Sequence, residues 1–290
     1  MVLSDVAFIA PTHPKDFQYT ADLIDSHAKY QISSPIHLVF SSEVDVKIFE
    51  QKYPDQYALG CKNFHVYPHI IRGQPTYFKK WWMVNELIDE YEYFLLMDIE
   101  FQFVKHVDAY QIVKEEFAKK RFFGHITDVN TPRGVQQGAT FCFDSAECEK
   151  IREITNHWDL YIYWNTLPMV ERETAKEFMR RYNVLSQPRP CDPETYPYQY
   201  FLLLYHGWTI TDLTKIPNSV YAFGILECGG TNPEMLSIMK PYFTYWLAYK
   251  LEPEKFNDCP IFMTIHHDRQ NGWYGPPGPP VKFYTAPQTC

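Results

Sequence analysis

The 290-residue sequence has no apolar run approaching the roughly 18 residues that a membrane-crossing helix needs, so no membrane span is expected. It also has no basic stripe. Lys and Arg number 27 against 35 Asp and Glu, a formal net charge of -8, which excludes a general nucleic-acid binder. Lys79-Lys80, Lys119-Lys120-Arg121 and Arg180-Arg181 are short basic clusters with no run behind them, and each reads as a solvated helix face. There is no Cys-x-x-Cys pair. The seven cysteines are odd in number and widely spaced, from Cys61 to Cys290, which excludes a disulfide framework and a thiolate zinc site. Reduced thiols in a reducing compartment are expected, with none marked as a nucleophile. The first twelve residues lack a basic stretch and a small-residue cleavage site, so they read as a first strand rather than a signal peptide. A cytoplasmic protein, from a bacterial or viral setting, is the expectation. No internal repeat and no linker divides the chain. The expected organisation is a single domain over 1–290, with halves at 1–145 and 146–290 and a Pro-rich tail.

What the sequence does have is aromatic residues, 17% of the chain, carried by 22 Tyr, 21 Phe and 7 Trp. Rings at that density can build a core or line a carbohydrate or nucleotide pocket. The first half alternates strand and helix. Short apolar runs at 6–10, 36–40, 64–67 and 93–97 read as strands, and the segments 17–30, 43–53 and 77–91 carry helical apolar spacing. Ser42 is placed as an N-cap. A further helix at 111–121 and a strand at 121–126 follow. Repeated strand–helix alternation predicts an α/β fold with a mostly parallel sheet flanked by helices. The second half is less regular, with a strand at 138–143, helices at 145–158, 170–182 and 196–206, and a late strand at 261–265.

The most informative segment is the apolar run that ends in Asp98-Ile99-Glu100. In an open α/β sheet, ligands bind outside the carboxyl ends of the strands. In extended chain Asp98 and Glu100 point to the same side. Two converging carboxylates are costly unless something positive sits between them. The simplest occupant is Mn²⁺ or Mg²⁺, which bridges on to phosphate oxygens.

On these residues the chain resembles the GT-A fold of nucleotide-sugar-dependent glycosyltransferases, a Rossmann-type sheet with an irregular acceptor-side half towards the C-terminus. The segment from Glu90 to Glu100 is similar to that family's central strand and its Asp-x-Asp motif, with Glu100 in place of the second Asp. Residues 6–12 are similar to the family's first strand and nucleotide-facing loop. The resemblance implies metal ligation by Asp98, Glu100 and a late histidine, of which His266 is preferred over His267. It implies a donor site drawing on Thr12, His13, Arg72, Lys79, Lys80, Trp82, Asp98 and Gly138. The implied partners are a UDP- or GDP-sugar donor and a glycan or other hydroxyl acceptor. An inverting reaction also needs a carboxylate to take the acceptor proton. Asp192, Glu194 and Glu227 are the candidates, with the first two preferred and not separated.

Three other readings compete. A sugar nucleotidyltransferase wants a glycine-rich loop after the first strand, and Ala10-Pro11-Thr12-His13-Pro14 has no glycine. A metal-dependent hydrolase wants histidines at ligand spacing, and here they are scattered. A non-catalytic carbohydrate-binding protein would keep the rings and have no use for Asp98 and Glu100. Rings of the second half such as Tyr161, Trp164, Tyr198, Tyr200, Trp246 and Trp273 are candidates for stacking on an acceptor, with core packing expected for most.

Overall fold

The computed structural model describes residues 4–69, 75–99, 101–103, 106, 108–124, 143–155, 169–186, 196–212, 225–227 and 263–265. In chain order the elements of the first half are β1 (Ser4–Pro11), α1 (Phe17–Lys29), β2 (Ile36–Phe40), α2 (Glu43–Lys52), α3 (Pro54–Gly60), β3 (Phe64–Val66), α4 (Pro75–Glu86), β4 (Tyr91–Leu96), β5 (Gln102–Phe103), α5 (Ala109–Ala118) and β6 (Arg121–Gly124). The second half adds α6 (Ser145–Thr155), β7 (Met169–Glu171), α7 (Arg172–Tyr182), α8 (Tyr196–Tyr205), β8 (Thr209–Asp212), β9 (Ile225–Glu227) and β10 (Met263–Ile265).

The main sheet has five strands in the order β3-β2-β1-β4-β7. The first four are mutually parallel and β7 runs antiparallel to β4. Strand β1 lies at its centre and is apolar without alternation because helices cover both faces. Val6, Phe8 and Ala10 enter one core layer with Phe17, Leu23 and Ile24 of α1. Ala7 and Ile9 enter the other with Trp81 and Val84 of α4 and Phe178 of α7. The two-residue period of the strand thus feeds two separate layers from one short sequence. β4 divides the same way, with Phe94 and Leu96 in the α4 layer and Tyr93 and Leu95 in the α1 layer, joined there by Met97 just past the strand.

Most expected elements form, with changed ends. Ser42 caps α2 by accepting the Asp45 amide at 3.1 Å. The helix expected over 77–91 stops at Glu86, because Tyr91 pairs with Ser4 and opens β4. Pro54 begins a separate helix, α3, that apolar spacing does not reveal. The helix expected from 170 begins at Arg172. Residues 169–171 instead form the edge strand β7, and Glu171 caps α7 by accepting the Glu173 and Thr174 amides at 3.1 and 2.9 Å. Of the strand expected at 138–143 only Phe143 is described, outside any strand, and 138–142 lie outside the described residues.

Two smaller pairings complete the framework. β6 and β8 are parallel. β10 lies between β5, its antiparallel neighbour, and β9, its parallel one. No helix among the described residues is long and apolar enough to cross a membrane.

Candidate functional site at the carboxyl ends of the parallel strands

Chain order runs outward from β1 through β2 to β3, then returns to the other side of β1 with β4. The strand order therefore reverses between β1 and β4. A crevice opens at such a point because the connections that follow the two strands leave in opposite directions. Its walls are the segments after β1, β2 and β4, and α4 holds all three.

After β1, the Thr12 amide donates to the Val39 carbonyl at 3.0 Å, which continues the ladder past the strand. Thr12 is fully buried and its hydroxyl lies 2.6 Å from that of Thr20 on α1. The Thr12 side chain thus fastens this loop to α1, while its carbonyl takes part in the crevice. His13 follows, half-buried, with Nδ1 3.4 Å from the Ser41 hydroxyl. Burial lowers its pKa to about 4, and the nearby Lys79 and Lys15 ammoniums push the same way.

After β4, the Met97 amide still donates to the Ile9 carbonyl at 2.8 Å. The chain then turns. Asp98 accepts the Phe101 amide on its carbonyl at 3.3 Å, and Ile99 and Phe101 are buried. This corrects the expectation of extended chain through Asp98-Ile99-Glu100. The turn sets the direction of Asp98, and Glu100 lies outside the described residues.

Lys79 and Lys80 lie side by side on α4 and neither is solvated, against the expectation of an exposed basic face. Lys79 Nζ donates to the Thr12 carbonyl at 3.0 Å and the Ser41 hydroxyl at 2.8 Å. Burial lowers its pKa to about 8, with Asp45 opposing. Lys80 Nζ lies 2.6 Å from Asp98 Oδ1, and its side chain has no exposure while that of Asp98 keeps 19%. Neighbouring residues of one helix thus reach opposite walls of the crevice. A buried ammonium needs partners of this kind, since desolvation disfavours the charged form. The positive group expected beside Asp98 is therefore already supplied, in part, by the chain itself.

Trp82 is half-buried and meets Tyr67 edge-on at 5.4 Å, on the β3 side of the crevice. Glu227 ends β9, with its backbone paired beside Ile265. Arg72, Gly138, Asp192, Glu194 and His266 lie outside the described residues, as does His267. The structure thus gathers Thr12, His13, Lys79, Lys80 and Asp98. Ser41 is the member that sequence reasoning passed over. The signal for it was weak, a serine after an apolar strand in the position where β1 carries Thr12.

No protein-family model matches the sequence, and no curated protein matches it. Among solved structures, the apo structure of the bifunctional glycosyltransferase WbbM aligns over 91% of this chain and 46% of its own, at 11% identity and a TM-score of 0.42. The crystal structure of S. aureus TarS 1-349 aligns over 73% of this chain and 58% of its own, at 15% identity and a TM-score of 0.38. The chain spans about half the length of these structures. At such values any functional reading has to stand on the crevice itself.

Proposed function

We propose that this protein is a glycosyltransferase that moves a sugar from a UDP- or GDP-sugar donor to a glycan or other hydroxyl acceptor, assisted by Mn²⁺ or Mg²⁺. The observation that carries the reading is the crevice between β1 and β4, where α4 buries two ammoniums, Lys79 against the loops after β1 and β2 and Lys80 against Asp98. Ammonium groups held in a partly desolvated crevice favour an anionic ligand. Its location suits a nucleotide, which lies across the point of strand reversal in open α/β sheets.

Asp98 is a hard oxygen donor at the mouth of this crevice, the type that Mn²⁺ and Mg²⁺ take. Among the described residues no group of three His, Cys, Asp or Glu could hold a metal. The proposed ligand set therefore draws on Glu100 and His266 as well. Strand topology supports that set. β5 begins two residues after Glu100, β10 ends one residue before His266, and the two strands pair antiparallel with Thr264 opposite Gln102. The chain leading to each proposed ligand thus meets at one end of one sheet. A bound divalent ion would supply Lewis-acid stabilisation of the leaving diphosphate.

The residues of the chain do the rest. Lys79 fixes the spacing between the loops after β1 and β2, where the nucleoside end of the donor is proposed to lie. Asp98 orients the diphosphate end. A carboxylate of the second half takes the acceptor proton as the hydroxyl attacks, in the inverting case. Of Asp192, Glu194 and Glu227, Glu227 is the one whose backbone is placed, next to the strand that leads to His266.

The test is a binding and hydrolysis screen over UDP-, GDP- and CMP-sugars with and without Mn²⁺. Binding or slow hydrolysis of at least one nucleotide sugar is expected. Absence of both in every metal condition would end the reading.

A further inference from the structure

We propose that His65, His37 and Tyr91 form a proton-driven tautomer switch across the main sheet: when His65 gains a proton, His37 exchanges its Nδ1 hydrogen for one on Nε2 and the Tyr91 hydroxyl turns from hydrogen-bond donor to acceptor. The observation behind it is an unbroken chain of hydrogen bonds. His65 Nε2 lies 2.9 Å from His37 Nδ1, and His37 Nε2 lies 3.1 Å from the Tyr91 hydroxyl. His37 belongs to β2, His65 to the edge strand β3 and Tyr91 to β4, so the chain spans β1. No step of the transfer reaction proposed above uses it.

A neutral imidazole carries one N–H, so His37 donates through one nitrogen and accepts through the other. Two arrangements satisfy both contacts. In the first, Tyr91 donates to His37 Nε2, and His37 Nδ1 donates to His65 Nε2. In the second, both bonds are reversed. Tyr91 is buried, and among the described residues His37 is the one hydrogen-bond partner of its hydroxyl, so only the first arrangement uses the phenol proton. A charged His65 carries hydrogens on both nitrogens. Its Nε2 must then donate, His37 Nδ1 must accept, and only the second arrangement is left. The proton balance closes. One proton passes from His37 Nδ1 to His65 Nε2, one from Tyr91 to His37 Nε2, and one from solvent replaces it on the Tyr91 oxygen.

His65 is the partly exposed ring of the pair and His37 the buried one. Burial opposes the charge on His65, and the Glu86 carboxylate at the end of α4 favours it. His37 is held neutral by burial and then by His65. Burial and then Glu90 keep Tyr91 a neutral phenol. The two rings therefore share one proton, because a second would set two N–H groups and two charges against each other.

The experiment labels the histidines of the full chain with ¹⁵N and follows their ring nitrogens by NMR from about pH 8 to about pH 4. Signals are assigned from the His37→Gln and His65→Gln spectra. Above the His65 titration, His37 should carry its hydrogen on Nδ1. As His65 titrates, that hydrogen should be lost and one should appear on His37 Nε2, with a single midpoint for both rings. Tyr91→Phe should leave His37 in both tautomers at high pH, because the hydroxyl that fixes the first arrangement is gone. A His37 ring that keeps one tautomer while His65 titrates, or that becomes charged before His65, overturns the proposal. A Tyr91→Phe chain with the wild-type tautomer overturns it as well. The wild-type titration decides the question even if Tyr91→Phe does not fold.

Discussion

His37 occupies the second position of β2, with Nδ1 2.9 Å from His65 Nε2 and Nε2 3.1 Å from the Tyr91 hydroxyl. Burial, and then the neighbouring His65, lower its pKa from 6.5 to about 4. The unfolded chain therefore binds more protons than the folded one between pH 6.5 and 4. Stability from this group is fully present above pH 6.5 and is lost as pH falls towards 4, by about 3 kcal/mol. His13, also lowered to about 4, and His65, lowered by burial, act in the same direction. Urea midpoints measured across this range should fall with acid, and His37→Gln should flatten the slope. An unchanged slope would remove His37 as a source of the acid sensitivity. Asp98 gives the second prediction at this scale. Asp98→Ala should abolish metal-dependent donor binding with the fold intact, and unchanged affinity by calorimetry would take Asp98 out of the site.

Helix α4 shows how an element can carry both a core and a site. Trp81 packs against Phe178 at 5.0 Å and Tyr198 at 5.6 Å, while Lys79 and Lys80 tie the loops above the sheet. Two lysines beside Phe78 and Trp81 look like a surface patch in the sequence, because ion pairs and carbonyl partners from distant segments are invisible there. Helices α6, α7 and α8 meet around one carboxylate. Glu147 Oε1 accepts from the Tyr182 hydroxyl at 2.8 Å, from Arg181 at 3.3 Å and from the Tyr205 hydroxyl. These bonds hold its pKa below the usual range against the effect of burial, and Arg181 stacks on Tyr205 at 4.0 Å. Glu147→Ala leaves two hydroxyls and a guanidinium without this acceptor. It should cost about 2 kcal/mol of stability, read from denaturant midpoints. A change under a few tenths of that would show the junction to be held by packing alone.

At the scale of the whole molecule, the two halves of the chain share one core. The layer beneath α4 draws Ala7, Trp81, Val84 and Phe94 from the first half and Val170, Phe178, Tyr198 and Phe201 from the second. β7 adds the edge of the main sheet from the second half. A fragment of residues 1–145 loses that edge strand and the cover over Trp81, which leaves apolar surface exposed. It should not unfold cooperatively, and a sharp thermal transition in the fragment would contradict this.

The aromatic surplus is decided at the same scale. Tyr198 and Tyr200, candidates for stacking on an acceptor, are buried at 1% and 0% exposure and belong to the core. Tyr161, Trp164, Trp246 and Trp273 lie outside the described residues.

The sequence by itself determined the parallel strands, the alternating helices and the cap at Ser42. It also marked the acidic residue at the end of β4. These depend on short-range signals: apolar runs that need cover on both faces, and a hydroxyl three residues from the amide it accepts. Only the tertiary structure decided that 169–171 form an edge strand, that Asp98 opens a turn, and that Lys79 and Lys80 are buried with partners 67 and 18 residues away. Such partnerships join segments far apart in the chain, so no local period or composition encodes them, and desolvation takes effect only once the layers close.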